Sequence, residues 1–182
     1  DFSAVVTKIK GLNPDGVVIA ALMPAGINFA KEYERQGVKA PVLTSAHVTG
    51  GPFVENAGTS VEGWVIPGLF NWESTDPKIA SFVKRFYERG AADPAVKPPP
   101  THISTEGIYY DTVMIFADIM RKAGIKADSP LQEARDKIRD GMQNLKDYQG
   151  LSGKISMNPT GETTREGMPA STADKGKWAI VK

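Results

Sequence analysis

The chain has 182 residues, 41% of them hydrophobic and 24% charged, and a formal net charge of +1. This composition predicts a globular protein with a substantial core, and the absence of a basic block interleaved with aromatic residues argues against a nucleic-acid partner. Because there is no cysteine, disulfide frameworks, cysteine-ligated zinc and cysteine nucleophiles are excluded, and no apolar run approaches the roughly 20 residues of a membrane-spanning helix.

Two consecutive strand–helix units organise the N-terminal part of the chain. Residues 17–22 form a nearly unbroken apolar run, which predicts a strand buried on both faces of a parallel sheet. A helix over roughly 25–36 follows, and a second strand over 41–45 ends at Ala46 and His47. Ligands of open α/β sheets bind outside the carboxyl ends of the strands. We therefore expect one binding wall to contain Leu22, Met23, Pro24, Ser45, Ala46 and His47.

The pattern then changes from strands to helices and back. A third strand is predicted over 64–67, and Asp76 and Pro77 begin a helix that ends near Gly90. After a proline-rich connection over 91–101, the longest helix is predicted with Ser104 as its N-cap, and another helix follows Ser129, which has capping-box spacing to Gln132. Beyond these helices we predict a turn at 148–150, an edge strand over 153–157, a polar surface loop over 162–175 and a final strand over 177–181.

The predicted helices between about residues 74 and 145 lack a sheet of their own. Their apolar faces either form a small bundle or pack on a sheet from chain that is absent here. The chain begins with Asp1 rather than Met and carries no signal peptide. Together these features predict a processed or truncated fragment.

The order of these segments resembles the C-terminal half of periplasmic solute-binding proteins of the branched-chain amino acid ABC transporter type. These are the Leu/Ile/Val-binding proteins, which have the type I periplasmic binding fold. The resemblance rests on short motifs whose order and spacing cover essentially the whole chain: residues 1–3, 13–15 with 17–20, 36–37 with 39–41, 57–58, 62–63, 110–111, and 150–156 with Asn158 and Gly161.

The resemblance implies an α/β protein with two lobes, joined by three crossovers, that clamp a ligand by hinge closure. Residues 1–69 would supply βα units of the second lobe, 70–149 a helical return segment of the first lobe, and 150–182 the crossover back and the final second-lobe strands. Thr105 would be a first-lobe ligand contact, and Phe70, Asn71 and Trp72 would lie at the hinge or cleft rim. The implied partners are the missing N-terminal half, a membrane permease and a small-molecule ligand, and the implied location is the periplasm.

Two positions predict what kind of ligand is bound. In amino-acid-binding members of this family an aromatic residue follows the first of these strands, and an acidic residue that pairs with the ligand ammonium follows the second. Leu22 and Ala46 occupy those positions here. A buried ammonium without a carboxylate partner is costly, so we expect an aromatic or aliphatic carboxylate rather than an ordinary α-amino acid.

Several of these residues also have a purely structural interpretation. Leu22 and Met23 would be core at a strand end, Ser45 would satisfy a backbone group, and His47 would be an exposed loop residue. Ser104 would be only an N-cap, the segment 70–72 would pack the hinge, and Tyr109 and Tyr110 would be core with one hydroxyl near water.

Two other functional classes remain as alternatives. The first is the ligand-sensing core of a receptor or transcriptional regulator on the same fold, since fold alone does not fix function. The second is an enzyme, but the chain has no dinucleotide, P-loop or nucleophile-elbow motif, and His47 and His102 lack the spacing of a metal-binding helix. We therefore expect no catalysis, no cofactor and no metal.

Overall fold

The computed structural model describes residues 1–48, 52–97, 103, 105–166 and 169–181, without the His47 side chain. Within these ranges the helices are α1 Ser3–Leu12, α2 Met23–Arg35, α3 Phe53–Ala57, α4 Pro77–Ala92, α5 Glu106–Lys122 and α6 Leu131–Gln143. The strands are β1 Val17–Ile19, β2 Val42–Thr44, β3 Val65–Pro67, β4 Tyr148–Gly150, β5 Gly153–Met157, β6 Thr163–Glu166, β7 Ala170–Asp174 and β8 Lys177–Ile180. Short 3₁₀ helices cover Ala46–Val48 and Gly58–Val61.

The larger sheet of the described chain has the strand order β1-β2-β3-β7-β8. Strands β1, β2 and β3 are parallel, with Val18 opposite Leu43 and Leu43 opposite Val65. Strand β7 pairs antiparallel with β3, and β8 pairs antiparallel with β7. The predicted parallel βαβ construction is therefore confirmed, and the C-terminal strands complete the same sheet.

Strand β1 is shorter and more exposed than the apolar run 17–22 predicted. It ends at Ile19, and the Val18 side chain is 77% exposed while Leu43, beside it on β2, is 44% exposed. The prediction of burial on both faces is wrong for this chain, because no described element covers the Val18 and Leu43 side chains.

The opposite face of this sheet carries the main hydrophobic core. Helix α2 places Phe29, Ala30 and Tyr33 in the core, where the Phe29 and Trp64 rings meet edge to face with centroids 6.3 Å apart. From α3, Phe53 stacks on Trp178 of β8 at 6.2 Å. Aromatic burial of this kind contributes most of the stabilisation that holds helices to a sheet.

Helix α2 begins two residues earlier than predicted, at Met23, with Pro24 in its first turn. A proline is tolerated there because the first-turn N–H groups have no partner within the helix. Leu22 becomes the N-cap residue, in an extended conformation.

A second packing unit contains helices α4 to α6 and a sheet of order β4-β5-β6. Ile155 of β5 is buried against Ile115 and Ile119 of α5, and Ile138 and Met142 of α6 complete this cluster. A separate cluster joins Phe70, Ile103 and Leu151 to the apolar face of α4. The unit is therefore organised around α5.

Two strand predictions were wrong in this C-terminal region. Residues 148–150 form β4 rather than a turn, and 162–175 contain β6 and β7 rather than a polar loop. Strand β6 is polar and mostly exposed and is held by backbone pairing with β5. Strand β7 buries only the small side chains of Ser171 and Ala173, so it carries no hydrophobic alternation that the sequence could reveal.

The helix caps agree only in part with the sequence. Asp76 caps α4 as predicted, accepting from the backbone N–H groups of Lys78 and Ile79. The predicted capping box at α6 is wrong, because the Ser129 hydroxyl accepts from Lys126 N and Pro130 is the N-cap residue. Ser104, the predicted cap of α5, lies outside the described residues.

The charge cluster at the end of α2 predicts acid sensitivity. Arg35 donates two hydrogen bonds to the Glu32 carboxylate, at 2.7 and 2.6 Å, and the Gln36 amide donates another at 2.6 Å. These bonds lower the pKa of Glu32 from 4.5 to about 2. A carboxylate with a depressed folded-state pKa stabilises the fold above the unfolded pKa, and this contribution is lost as the pH falls from 4.5 towards 2.

We therefore expect Glu32→Gln to lower the urea midpoint of the full-length protein at pH 7 and to lower it much less near pH 2, where the carboxylate is partly protonated. The matched control is Glu88→Gln, which removes an exposed, looser ion pair with Lys84 at 3.8 Å and should change the midpoint little at either pH. An E32Q deficit that is equally large at both pH values would contradict the assignment.

Candidate functional site

The ends of β1 and β2 lie side by side and form one wall of the candidate site. The backbone N–H of Ser45 donates to the carbonyl oxygen of Ile19 at 3.2 Å, which joins the two strand ends. Leu22, three residues beyond β1, is 68% exposed, while Met23 is half-buried and Pro24 exposed in the first turn of α2. Leu22 is therefore an accessible apolar side chain rather than core.

Ser45 ends this wall with a buried hydroxyl. Its Oγ atom has no hydrogen-bond partner among the described residues, so it does not satisfy a nearby backbone group as its structural interpretation required. Buried hydroxyls are normally hydrogen-bonded, and within the described chain this one is left without a partner at the end of a strand. Ala46 follows in a 3₁₀ turn, and the predicted contact from the His47 side chain lies outside what the structure describes.

A cavity of about 300 Å³ brings residues of two predicted lobes together. Within the described chain it is lined by Ala46, Leu69, Thr105, Ile108 and Tyr109. Ala46 and Thr105, both predicted from the sequence, meet here although they come from different packing units. Leu22, Met23, Pro24 and Ser45 do not line this cavity. Its volume lies at the lower end of the range for small-molecule pockets, which begins near 300 Å³.

Leu69, Ile108 and Tyr109 also line the cavity, and none of the three was predicted as a site residue from the sequence. Tyr109 was interpreted as core, but its side chain is 69% exposed, so that interpretation is wrong. Tyr109 begins an exposed apolar stripe on α5 that continues through Val113, Phe116 and Met120. The spacing of this stripe is visible in the sequence, but helical periodicity does not distinguish a buried face from an exposed one.

The lining of the cavity carries no carboxylate and no basic group among the described residues. Its walls are the side chains of Ala46, Leu69 and Ile108, with polar groups only on Thr105 and Tyr109. Thr105 is the N-cap residue of α5, and its side chain makes no capping hydrogen bond. The Thr105 hydroxyl is therefore available to the cavity, and this lining suits an apolar ligand with a small polar end.

The predicted hinge residues pack between the two units. Phe70 is fully buried, with its ring edge-on to Phe82 at 6.0 Å, and it lies so close to Gly107 that a Cβ there would be 2.6 Å from the ring. Trp72 packs against both the main core and the Phe70 cluster. The Asn71 carboxamide oxygen accepts from Glu73 N at 3.1 Å. These contacts suit hinge packing, and a role for Phe70, Asn71 and Trp72 at the cleft rim stays a prediction.

A buried carboxylate of α5 holds Leu151 and Ser152 against this helix. Asp111 accepts hydrogen bonds from Leu151 N at 2.7 Å, Ser152 N at 2.8 Å and Ser152 Oγ at 2.6 Å. Gly150 is required beside it, because a Cβ at that position would lie 2.5 Å from the carboxylate. The two sequence motifs 110–111 and 150–156 therefore contact each other in the fold.

The described residues contain no cluster of His, Cys, Asp and Glu that would hold a metal ion. None of the helices in the described ranges has both the length and the apolarity needed to cross a bilayer.

Comparison with known proteins identifies a family from the sequence and a matching fold from the structure. The family model described as periplasmic binding protein matches residues 1–177. Among solved structures, a leucine-binding protein from Thermotoga maritima is similar with a TM-score of 0.82 at 19% identity, covering 100% of this chain and 48% of that one. A search of curated proteins found no match.

Two further structures have the same architecture. An extracellular ligand-binding receptor from Rhodopseudomonas palustris has a TM-score of 0.80 at 23% identity, with 100% of this chain and 52% of that chain covered. An ABC transporter substrate-binding protein from Desulfitobacterium hafniense, in complex with Leu, has a TM-score of 0.71 at 20% identity, with coverages of 100% and 48%. The present chain therefore spans about half the length of the solved structures that it matches.

Proposed function

Because this chain belongs to the periplasmic binding protein family, we propose that the protein containing it captures a small organic molecule outside the cytoplasm for an ABC importer. The family and the type I periplasmic binding fold predicted from the sequence motifs are confirmed. Capture by closure of two lobes would require no chemistry, so we expect the ligand to be released unchanged.

The proposed ligand is a small aromatic or aliphatic carboxylate. The observation that carries this proposal is the cavity lined by Ala46, Leu69 and Ile108, which offers no carboxylate within the described residues. An α-amino acid would have to bury its ammonium without an ionic partner, which is costly. The Thr105 hydroxyl, which lines the cavity and makes no capping bond, would donate a hydrogen bond to a carboxylate.

The separate sheets and cores of the described residues support a division into two lobes. Strands β1, β2, β3, β7 and β8 share one sheet, while α4 to α6 and β4 to β6 surround a separate core. Trp72 contacts both cores, as a residue between two lobes would. The division predicted at 149/150 stays a prediction, and the packing of β5 against α5 favours a boundary after 166.

The remaining half of the clamp is proposed to come from a further part of the same protein. Two apolar surfaces of the described chain are uncovered, the Val18–Leu43 face of the sheet and the stripe on α5. Apolar surfaces of this kind mark interaction sites, and the matched structures are about twice as long. The completed protein would then deliver its ligand to a membrane permease.

A ligand screen on the full-length protein tests the proposal. We expect benzoate or hexanoate to raise the thermal midpoint, with a dissociation constant in the micromolar range or tighter by calorimetry, which at 1 μM corresponds to about −8 kcal/mol. Leucine should bind more weakly, even though two of the similar structures are a leucine-binding protein and a complex with Leu. Stabilisation by leucine and by no other carboxylate would contradict the proposed ligand class.

The substitution Ala46→Asp tests whether the binding wall is correctly placed. A carboxylate introduced at this lining position should weaken carboxylate binding by at least about tenfold, because the two like charges would be partly desolvated. The matched control is Ala80→Asp, on the exposed surface of α4, which should leave binding unchanged. Equal affinities in A46D and A80D would remove Ala46 from the site.

A further inference from the structure

We propose that Tyr109 is a specificity-determining residue, whose ring stacks on an aromatic ring of the ligand, so that the preferred ligand is an aromatic carboxylate. The inference rests on the proposed function and narrows its ligand class. Three observations carry it: the exposure of the ring, the way its helix is fixed, and the position of the Thr105 hydroxyl.

The Tyr109 ring is the aromatic surface of the cavity. The other apolar lining residues, Ala46, Leu69 and Ile108, are aliphatic. With the ring 69% exposed, one face is left for a ligand. Offset or edge-to-face contact between aromatic rings adds about 0.5–1.5 kcal/mol beyond the burial of area.

The backbone that carries Tyr109 is fixed on both sides. Gly107 lies directly against the buried Phe70 ring, and Tyr110 packs on Phe82 with ring centroids 5.0 Å apart. The Tyr109 N–H donates to the Thr105 carbonyl at 3.2 Å. A ring on such a fixed segment discriminates between ligands better than one on a mobile loop, because less ordering is needed on binding.

The Thr105 hydroxyl is placed for the other end of the same ligand. Thr105 and Tyr109 are four residues apart at the start of α5, so their Cβ atoms are separated by about 5–6 Å. That separation matches a molecule in which a carboxylate is attached directly to a single ring. Both side chains line the same cavity, and the Thr105 side chain makes no capping bond that would compete.

The competing explanation is that Tyr109 belongs only to the apolar stripe on α5, covered by another part of the protein. Val113, one turn further along α5, is equally exposed, at 66%, but does not line the cavity. Val113 therefore provides the matched control, since it shares the stripe without sharing the site.

The test uses two probes of equal charge and similar size, benzoate and cyclohexanecarboxylate, with calorimetry on the full-length protein. The wild-type protein should bind benzoate more tightly. Tyr109→Leu, which keeps the apolar contact and removes the ring, should weaken benzoate about two- to tenfold and change cyclohexanecarboxylate by less than about twofold. Tyr109→Phe should keep the benzoate preference, and Val113→Ala should leave both affinities unchanged.

The remaining outcomes would contradict either the stacking role of Tyr109 or the proposal on which it rests, and they can be told apart. Equal losses for the two probes in Y109L, or no loss for either, would overturn the stacking role of Tyr109. A wild-type preference for cyclohexanecarboxylate would overturn it without any variant, even if Y109L failed to fold. Absence of binding by every carboxylate in the wild-type protein would instead refute the proposed ligand class on which the inference rests.

Discussion

Replacing Asp111 by alanine is expected to destabilise the full-length protein by about 3–5 kcal/mol. The carboxylate is 1% exposed and accepts from Leu151 N, Ser152 N and the Ser152 hydroxyl. Alanine would leave two buried N–H groups and a hydroxyl without an acceptor, and each unsatisfied buried donor costs about 1–3 kcal/mol. Equilibrium urea unfolding of the D111A and wild-type proteins would measure the difference.

Two variants show whether the loss comes from the buried hydrogen bonds. Ser152→Ala removes one of the three donors together with its need for a partner, so it should cost only about 1 kcal/mol. Asp118→Asn, on the same helix, removes an ion pair with the exposed Arg121 side chain and should cost less than about 1 kcal/mol. If D111A were no more destabilised than D118N, the three bonds would not be what holds Leu151 and Ser152 against α5.

The fold was predicted best where hydrophobic pattern and burial agree. The apolar runs that became β1 to β3 and the amphipathic segments that became α4 to α6 were recognised from the sequence. Strands β6 and β7 were not, because β6 is held by backbone pairing and β7 buries only Ser171 and Ala173. Strands whose side chains contribute little burial leave no periodic signal.

Part of the candidate site could also be predicted from the sequence. The general rule for strand ends in open α/β sheets led to Ala46, and the family resemblance led to Thr105. Both line the cavity with Tyr109. Tyr109 was assigned to the core because an apolar residue on an amphipathic helix is normally buried. The contact of Asp111 with Ser152 was also missed, since a bond across 41 residues has no local signature.

Phe70→Ala is expected to affect both stability and ligand binding. The Phe70 ring is fully buried at the junction of the two packing units, and truncating such a side chain typically costs about 3–5 kcal/mol. Gly107 rests on this ring, and the same helical turn carries Thr105 and Ile108. The cavity lining should therefore shift, and benzoate affinity should fall together with the urea midpoint.

A double-mutant cycle separates this packing contact from a general loss of core. Gly107→Ala alone should be destabilising by about 1–3 kcal/mol, because its Cβ would lie 2.6 Å from the Phe70 ring. Phe70→Leu alone should cost less than F70A, since a smaller cavity is left.

If the two side chains compete for one space, the added methyl group is accommodated better beside the smaller side chain of the F70L variant than beside the native ring. The combined variant F70L/G107A should then be more stable than the sum of the single changes predicts, by at least about 0.5 kcal/mol. Strict additivity would show that Phe70 does not position the start of α5.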